Sequence, residues 1–385
     1  MRLTTNMGAK IEFVVTARPS WSRVKNLIRE YATLDGLNSL SITLIGSAIS
    51  EKYGDIREQM PLGIQIKSYS TYDGNLSLSS IANTSIKGAQ ALSYKWELER
   101  PKSVLVIADR TETLGVSLAA ATMQIPLIHL QGGETSGSID NKIRGANSKL
   151  ADLHLTTNQF TAQNLMMQGE SSSTIKIIGC PSVDIVSERM KNSNQILEFS
   201  EMYGGVGANF STELEFGIIF FHPDTLMLSD NIEWVNKLIS LTGKSNLNWF
   251  WFWPNVDFGG EAISKIIRKH RELKTLGNIR FLKNITPESF IDLAIKSSII
   301  VGNSSFGIRE ASFIGVPVIN IGKRQNGRQR GENVIDVISP TELDVYVDSL
   351  HGKRFKQSNL YGDGNASKLG ALELKNWEPS LKKYL

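Results

Sequence analysis

Four carboxylates follow two successive apolar runs of this sequence, each just past the point where a strand pattern ends. Asp109 and Glu112 come after VLVIA, and Glu134 and Asp140 come after PLIHL. The carboxyl ends of neighbouring strands in a parallel sheet face one crevice, so acids delivered there by two strands lie near a ligand. Four acids in two neighbouring units exceed what helix capping needs. The spacing predicts an acid–base site, with a structural charge network as the alternative.

Basic and hydroxyl side chains follow the first strand pattern, in TARPSWSRVK. Arg18, Ser22 and Arg23 fall where a helix is expected to begin, and the free N–H groups at a helix N-terminus favour anions. The segment indicates either a phosphate contact or an ordinary solvated helix start, since Ser and Arg are common in such places.

A second group of candidates lies in VGNSSFGIREASFIGVPVINIGKRQNGRQRGENV, residues 301–334. Ser304 and Ser305 belong to a small-residue turn between a strand and a helix, where N–H groups and hydroxyls can wrap a phosphate. Glu310 is suited to accept two ribose hydroxyls. Charge for a diphosphate follows in Lys323, Arg324, Arg328 and Arg330. A merely solvated basic loop is the alternative.

His222 ends the first strand pattern of the second half, in FFHPDT, where a proline stops the strand. The position predicts either a packed strand-end residue or a group that faces the acids across a cleft between two domains. Histidine titrates near neutral pH, so the second placement would add a further acid or base to the site.

Val-, Ile- and Phe-rich runs alternate with longer segments of helical period, which predicts strand–helix units around parallel sheets. A polar, glycine-containing stretch separates a first series of runs from a second. The predicted strands span 11–17, 41–47, 64–70, 104–110, 126–132, 151–157 and 174–180 in the first series, and 216–222, 247–254, 278–284, 298–304 and 317–323 in the second.

The length of the chain bounds the domain count. A chain of 385 residues with 41% hydrophobic residues is too long for one ordinary core and long enough for two. We expect an α/β protein of two doubly wound, Rossmann-like domains with the site in the cleft between them. The domains are placed at 1–186 and 216–364, the linker at 187–215 and a C-terminal helix at 365–385.

Composition excludes several classes of function. The net charge of +4 comes from 42 basic and 38 acidic residues without a dense basic run, so a nucleic-acid surface is not expected. Cys180 is the one cysteine, which excludes an intramolecular disulfide. No apolar stretch approaches the ~20 residues of a membrane helix, and no signal-peptide pattern opens the chain. A soluble, cytoplasmic protein without membrane partners is the expectation.

Several motifs in one order resemble those of the UDP-N-acetylglucosamine 2-epimerase family, in particular its hydrolysing branch that feeds sialic-acid-type sugars. The motifs are ADRTETLGVSLAA, HLQGGETSGSIDNKIR, IIGCPSVD, GNSSFGIREASFIGVPVINIG and KRQNGRQRGENV. The resemblance covers roughly Val14 to Val334. It implies a glycosyltransferase-B-like fold and conversion of UDP-N-acetylglucosamine and water into N-acetylmannosamine and UDP. It also implies a homodimer, no metal and no cofactor.

The family's functional positions carry over one at a time. Asp109 matches the aspartate of the GD motif, Asp140 the acid ahead of Arg144, and His222 the second-domain histidine. By resemblance, these acids deprotonate C2 as UDP leaves and protonate the opposite face after water adds. Contacts to UDP and the sugar are implied for Arg18, Ser22, Arg110, Asn255, Phe281, Lys283, Ser304, Ser305, Glu310 and Arg324.

One position departs from the family pattern, because many members have glutamate where this chain has Gln131. A neutral amide cannot be a general base. Either Glu134 supplies the missing carboxylate across the Gly-Gly turn, or Asp109 and Asp140 carry the proton transfers while Gln131 orients water or the acetamido group. We favour the second interpretation, since a hydrogen-bonding side chain at Gln131 preserves the shape of the site.

Other functions remain open at this level. The same chemistry can act on a UDP-2,4-diacetamido-trideoxy sugar of legionaminic-acid pathways, or return UDP to the glucal in a non-hydrolysing epimerase. A glycosyltransferase of the same architecture would pass the sugar to an acceptor. A catalytically silent nucleotide-sugar sensor is the remaining alternative, and it leaves Asp109, Asp140 and His222 unexplained.

Overall fold

The apolar runs of the sequence form two parallel sheets in the computed structural model. It describes residues 10–50, 56–192, 205–254, 258–272, 276–283 and 285–379. Contacts divide the chain into two units. The first unit is Met1–Glu134, Asp140–Asp184 and Gly362–Leu385, and the second is Thr135–Ile139 and Ile185–Tyr361. The two predicted α/β domains of doubly wound type are confirmed, while the predicted domain limits stay a prediction.

The first unit contains a seven-stranded parallel sheet in its described residues. Its strands are β1 Ile11–Val15, β2 Leu40–Leu44, β3 Gln65–Ser68, β4 Ser103–Ile107, β5 Leu127–Leu130, β6 Leu153–Thr156 and β7 Ile175–Ile177. The order is β3-β2-β1-β4-β5-β6-β7. Helices follow at α1 Arg18–Asp35, α2 Leu78–Leu98, α3 Thr111–Thr122, α4 Asp140–Leu150, α5 Gln159–Met167 and α6 Pro181–Lys191. The central strands β1 and β4 are buried along their whole length, as expected of parallel strands covered by helices on both faces.

The second unit also has seven described strands in its sheet. They are β8 Val206–Gly207, β9 Phe216–Phe220, β10 Asn248–Phe252, β11 Ile279–Leu282, β12 Ile299–Gly302, β13 Val318–Ile321 and β14 Val334–Val337, in the order β14-β13-β12-β9-β10-β11-β8. Only the pairing of β8 with β11 is antiparallel among these strands. The remaining helices are α7 Leu228–Lys244, α8 Gly260–Glu272, α9 Pro287–Lys296, α10 Ser305–Ile308, α11 Glu310–Ile314, α12 Leu343–Leu350 and α13 Ala366–Asn376.

All twelve predicted strand runs contain a strand, but the sequence analysis missed β8 and β14. β8 has two residues, and β14 is an edge strand with a charged Asp336, so neither has the pattern of a buried strand. Every predicted run also extends one to three residues beyond the end of its strand. The runs over 104–110 and 126–132 stop at Ile107 and Leu130.

The C-terminal helix α13 packs against α1 in the first unit. Its first turn is capped by Asp184, whose carboxylate accepts from the N–H groups of Ala366 at 2.9 Å and Ser367 at 2.6 Å. Burial raises the pKa of Asp184. A Cβ added at Gly370 would lie 2.9 Å from Leu27, so the small residue permits the close approach of the two helices. The tail thereby supports the helix that begins at Arg18.

Candidate active site

The strand order of the first sheet reverses between β1 and β4, and the loops after these strands begin α1 and α3. In open α/β sheets, ligands bind beyond the carboxyl ends of the strands at such a reversal. Arg23 on the first turns of α1 lies there with Asp109, with 3.9 Å between Nη1 and Oδ1. The fold therefore joins the residues predicted after the first strand to those predicted after β4.

Asp109 is held by a second arginine from α4. Nη2 of Arg144 donates to Oδ2 of Asp109, and Nη1 of Arg144 donates to the backbone carbonyl of Glu134 at 2.8 Å. Arg144 is 2% exposed and Asp109 8%, so the ion pair lies in a weakly solvated environment. One guanidinium thus connects the ends of β4 and β5.

The other two predicted acids lie at helix starts. Glu112 is buried in the first turn of α3, and its Oε2 lies 3.5 Å from Nε of Arg110. Asp140 is the first residue of α4 and is partly exposed. Positions four apart lie on one face of a helix, so Asp140 and Arg144 share a face of α4. Arg144 contacts the carboxylate of Asp109 and the backbone carbonyl of Glu134, and the carboxylate of Glu112 lies beside Arg110.

The backbone is left-handed just after β4 and just after β5. Ala108 has φ +56° and Gln131 has φ +65°, values that residues with a Cβ rarely adopt. This conformation ends both strands, which explains why the predicted runs stop early. Strained backbone of this kind concentrates at functional sites. Ala108 lies directly before Asp109, and Gln131 lies three residues before Glu134.

Gln131 is fully buried, and its Nε2 lies 3.1 Å from Sγ of Cys180. The amide therefore donates to a sulfur at the position where the motif resemblance predicts a carboxylate. Glu134, the candidate replacement, is also buried, and its backbone carbonyl accepts from Arg144. The preferred interpretation, in which Gln131 orients water or the acetamido group while Asp109 and Asp140 transfer protons, stays a prediction.

The loop after β1 places Arg18 at the first position of α1, where burial lowers its pKa. The hydroxyl of Ser22 donates to the carbonyl of Pro19 at 2.8 Å. Its hydrogen bond is therefore local to the first turn. The role of both residues toward UDP stays a prediction.

Sequence reasoning missed a buried polar group beneath Asp109. His129 on β5 and Asn147 on α4 both approach the carbonyl oxygen of Ala108, at 2.8 and 3.4 Å. Asn147 also donates to Thr113 at 2.6 Å and accepts from Ser117 at 2.8 Å. The available signal was a histidine inside the apolar run PLIHL, where a polar side chain needs a buried partner.

The second sheet reverses its order between β9 and β12. His222 follows β9 and Asn303 follows β12, and they are joined by two hydrogen bonds. The N–H of His222 donates to Oδ1 of Asn303 at 2.7 Å, and Nδ2 of Asn303 donates to the carbonyl of His222 at 2.8 Å. His222 is buried, with its ring edge-on to Phe220 at 4.6 Å between centroids. The pair fixes the loop that carries the predicted histidine.

The small-residue turn is formed as the sequence predicts. Oγ of Ser304 accepts from the N–H of Phe306 at 3.3 Å, and Oγ of Ser305 accepts from Arg309 at 3.1 Å. Glu310 begins α11 and is buried, with its Oε2 3.7 Å from Nε of Arg309. That oxygen is buried and makes no hydrogen bond to the described residues.

The loop after β13 is anchored to the same strand end. Nη1 of Arg324 and Nε2 of Gln325 both donate to the carbonyl of Asn303, at 3.2 and 2.8 Å. The short segment Thr135–Ile139 also contacts this loop, because Gly137 donates its N–H to the carbonyl of Arg324 at 3.1 Å. Asn303 therefore contacts His222, Arg324 and Gln325. We call these residues, together with Ser304, Ser305 and Glu310, the second-unit cluster.

Arg330 has a different environment from the one expected of a diphosphate contact. Its Nε lies 3.1 Å from both carboxylate oxygens of Asp336 on β14, and it donates to the carbonyls of Gln325 and Arg328. The guanidinium is used to fasten the loop to the sheet. Arg324 and Arg328 are the better candidates for charge toward a ligand.

The remaining predicted contacts lie at the ends of β10 and β11. Phe281 is buried beside Trp251, and Lys283 lies 5.2 Å from the ring centroid of Trp253. The Lys–Trp arrangement is a cation–π contact. Asn255 lies outside the described residues, so its predicted role stays untested. Among the described residues, no group of three or more His, Cys, Asp or Glu side chains is arranged to hold a metal ion.

Comparison with known proteins gives the family. The sequence model of the UDP-N-acetylglucosamine 2-epimerase family matches residues 34–371, and the chain belongs to this family. A hydrolysing UDP-N,N'-diacetylbacillosamine 2-epimerase of Legionella pneumophila is 29% identical over 94% of both chains. A hydrolysing GDP/UDP-N,N'-diacetylbacillosamine 2-epimerase of Campylobacter jejuni is 30% identical over 91% of this chain and 89% of that protein. A UDP-N-acetylglucosamine 2-epimerase of Neisseria meningitidis is 33% identical over 69% of this chain and 68% of that protein.

Solved structures share the fold. The crystal structure of Methanocaldococcus jannaschii UDP-N-acetylglucosamine 2-epimerase, in complex with UDP-N-acetylglucosamine and UDP, has a TM-score of 0.78 at 16% identity, covering 96% of this chain and 100% of that one. The Neisseria meningitidis enzyme bound to UDP-N-acetylglucosamine has a TM-score of 0.74 at 18% identity, with the same coverage. The resemblance inferred from the motifs is therefore confirmed. In the described residues, no helix has the length and apolarity to cross a membrane.

Proposed function

We propose that the protein is a hydrolysing 2-epimerase of a UDP-2-acetamido sugar. The observation that carries the proposal is the buried Asp109, held between Arg144 and Arg23 at the reversal point of the first sheet. Family membership supplies the reaction type. The two relatives matched along about nine-tenths of this chain are described as hydrolysing, which supports water as the second reactant.

The proposed chemistry has two stages. A carboxylate removes the proton from C2, the C–H electrons form the C1=C2 bond, and the C1–O bond breaks so that UDP leaves with its electron pair. Water then bonds to C1 and gives up one proton to a carboxylate, while the C1=C2 electrons take a proton from an acid at C2, on the face opposite to the one from which the first proton was removed. The net reaction is UDP-sugar and water to the free 2-epimer and UDP. Positioned acid–base groups contribute roughly 10²- to 10⁴-fold each.

The residues divide by position. Asp109 and Asp140 are proposed to carry the proton transfers, with Gln131 orienting water or the acetamido group. His222 is proposed as a further acid or base. The second-unit cluster is proposed to hold UDP, with Glu310 accepting ribose hydroxyls and Ser304, Ser305 and Arg324 contacting the diphosphate. Charge-assisted contacts to a leaving diphosphate also stabilise the transition state.

Two substrates fit this proposal. UDP-N-acetylglucosamine is the substrate implied by the motifs and by the name of the family. UDP-N,N'-diacetylbacillosamine is favoured by the relatives in Legionella pneumophila and Campylobacter jejuni, because both match along most of this chain. Both sugars carry the 2-acetamido group that the chemistry requires. Homodimerisation and a cytoplasmic location remain predictions.

A product assay tests the proposal. The purified protein is incubated with each UDP sugar, and free UDP and free sugar are quantified by chromatography and mass spectrometry. Equal amounts of UDP and a C2-inverted free sugar are expected from at least one substrate. An inverted sugar still attached to UDP would instead show the non-hydrolysing reaction. Sugar passed to an added acceptor would show a transferase.

A further inference from the structure

His129 lies within β5 and is fully buried, two residues before Gln131. Its Nε2 is 2.8 Å from the carbonyl oxygen of Ala108, and its Nδ1 is 2.9 Å from Oγ of Ser148. A carbonyl oxygen only accepts, so Nε2 carries the hydrogen and Nδ1 accepts from the Ser148 hydroxyl. A single neutral tautomer satisfies both contacts.

The carbonyl that His129 holds belongs to the strained peptide before Asp109. Ala108 has φ +56°, and its own N–H donates to the carbonyl of Leu130 at 2.9 Å. A left-handed residue with a Cβ persists only when its surroundings fix it. The direction of this peptide decides where the next side chain points. Asp109 therefore depends on groups that orient the Ala108 carbonyl.

We propose that His129 is a positioning residue for Asp109: its Nε2–H keeps the Ala108 peptide left-handed and so directs the Asp109 carboxylate to Arg144 and Arg23. The catalytic part of this inference rests on the proposed function. The structural part, which links His129 to the conformation of Ala108, does not.

The surroundings of His129 support this role. Ser148 lies on α4, the helix that also carries Arg144, so the imidazole joins the peptide before Asp109 to the helix that holds the Asp109 carboxylate. A Cβ added at Gly132 would lie 2.9 Å from both His129 Nδ1 and Ser148 Oγ. Only glycine leaves this contact undisturbed. Burial lowers the pKa of His129 to about 4, which keeps the imidazole neutral near pH 7.

The neighbouring strand provides a matched control. His154 pairs directly with His129 in the sheet and is equally buried. It contacts Glu170, with 3.2 Å between His154 Nε2 and the carboxylate, rather than the Ala108 peptide. His154→Gln therefore perturbs a buried histidine of the same sheet without touching the contact under test.

The experiment compares His129→Leu, His129→Gln and His154→Gln with the wild type. Leucine removes the nearer of the two donors to the Ala108 carbonyl and leaves the 3.4 Å contact of Asn147, whereas the glutamine amide can replace the lost donor. We expect His129→Leu to lower kcat about 10- to 100-fold with little change in KM, because a small displacement of a catalytic group has that effect. His129→Gln should recover most of kcat. His154→Gln should lower thermal stability and leave kcat near the wild-type value.

Crystal structures of the same variants provide a readout that does not depend on activity. Ala108 should leave the left-handed region in His129→Leu and stay there in the other two variants, with the Asp109–Arg144 pair lost only in the first. His129→Asn, which is too short to reach the carbonyl, replaces His129→Leu if the latter does not fold.

The outcomes separate the two proposals. An unchanged Ala108 conformation in His129→Leu overturns the inference, as does a fall in kcat that His154→Gln reproduces. If the wild type turns over neither UDP sugar, the proposed function fails and the crystal structures alone decide the role of His129.

Discussion

The two sheets bring different chemistry to equivalent positions. Each strand order reverses beside the first strand of its series, between β1 and β4 in one unit and between β9 and β12 in the other. In the first unit, ion pairs surround Asp109. In the second, Asn303 exchanges neutral hydrogen bonds with the backbone of His222, and its carbonyl accepts from the Gln325 amide and from the charged Arg324.

The two units differ in the interactions that fix their candidate site residues in position. The first-unit acid is fixed by two guanidinium groups and by a strained peptide, an arrangement suited to a group that must not move during proton transfer. The second-unit loops are fixed through one another's backbones. Glu310 there keeps an oxygen without a hydrogen bond to the described residues. The same strand order thus supports an acid held by ion pairs in one unit and, in the other, loops held by hydrogen bonds to Asn303, which we propose bind UDP.

The largest expected effect comes from Asp109→Asn, which keeps the shape of the side chain and removes its charge. We expect kcat to fall by roughly 10²- to 10⁴-fold, because a neutral amide cannot transfer the proton. The affinity for UDP should remain near that of the wild type, measured by isothermal titration calorimetry. Asp363→Asn, on the exposed loop before α13, is the matched control. Full turnover in Asp109→Asn would remove Asp109 from the mechanism.

Arg324→Ala tests the diphosphate contact that we assign to the second unit. Loss of one charge-assisted contact should weaken UDP binding by about 1.5 to 3 kcal/mol. Lys356→Ala removes an exposed cation of the second unit and should leave the affinity unchanged. If the two variants bind UDP equally well in calorimetry, the diphosphate contact assigned to Arg324 is wrong.

The sequence located most of both sheets and the residues that follow their strands. Long apolar runs predicted twelve of the fourteen described strands, whereas the contact of Asp109 with Arg23 and the hydrogen bonds of His222 with Asn303 depend on the strand order, which was not predicted. The left-handed Ala108 and Gln131 were not predictable, because neither residue type favours that conformation. The anchoring of Arg330 by Asp336 was missed for another reason. Its partner lies on β14, a short edge strand with a weak pattern.

Gln131→Glu tests whether a carboxylate at position 131, which the motif resemblance predicts, can act as a base in this protein. The amide lies buried against the Cys180 thiol, so a carboxylate there would lose its donor contact. We expect unfolding in urea to show a loss of about 1 to 3 kcal/mol, the cost of an unsatisfied buried polar group, with no gain in kcat. Gln131→Met, an apolar side chain of similar size, controls for packing. A gain in kcat would show that this position can act as a base.

The smallest effect concerns the pH dependence of stability. His129 has a pKa lowered to about 4 by burial, against 6.5 for the ordinary group. Between these values the unfolded chain binds a proton that the folded chain does not, so stability is lost as pH falls. Between pH 7 and 5.5 the contribution is about 1 kcal/mol. Urea unfolding of His129→Gln should show a flatter pH profile than the wild type, and an equal slope would contradict the assignment.

The most direct test of the proposed function is proton NMR of the wild-type protein with each UDP sugar in deuterated water. We expect release of UDP together with a free, C2-inverted sugar that carries deuterium at C2, because the proton removed from C2 is replaced from solvent. Release of UDP with the original hydrogen still at C2 and unchanged configuration would contradict it, since simple hydrolysis or transfer would then explain the reaction without the acid cluster.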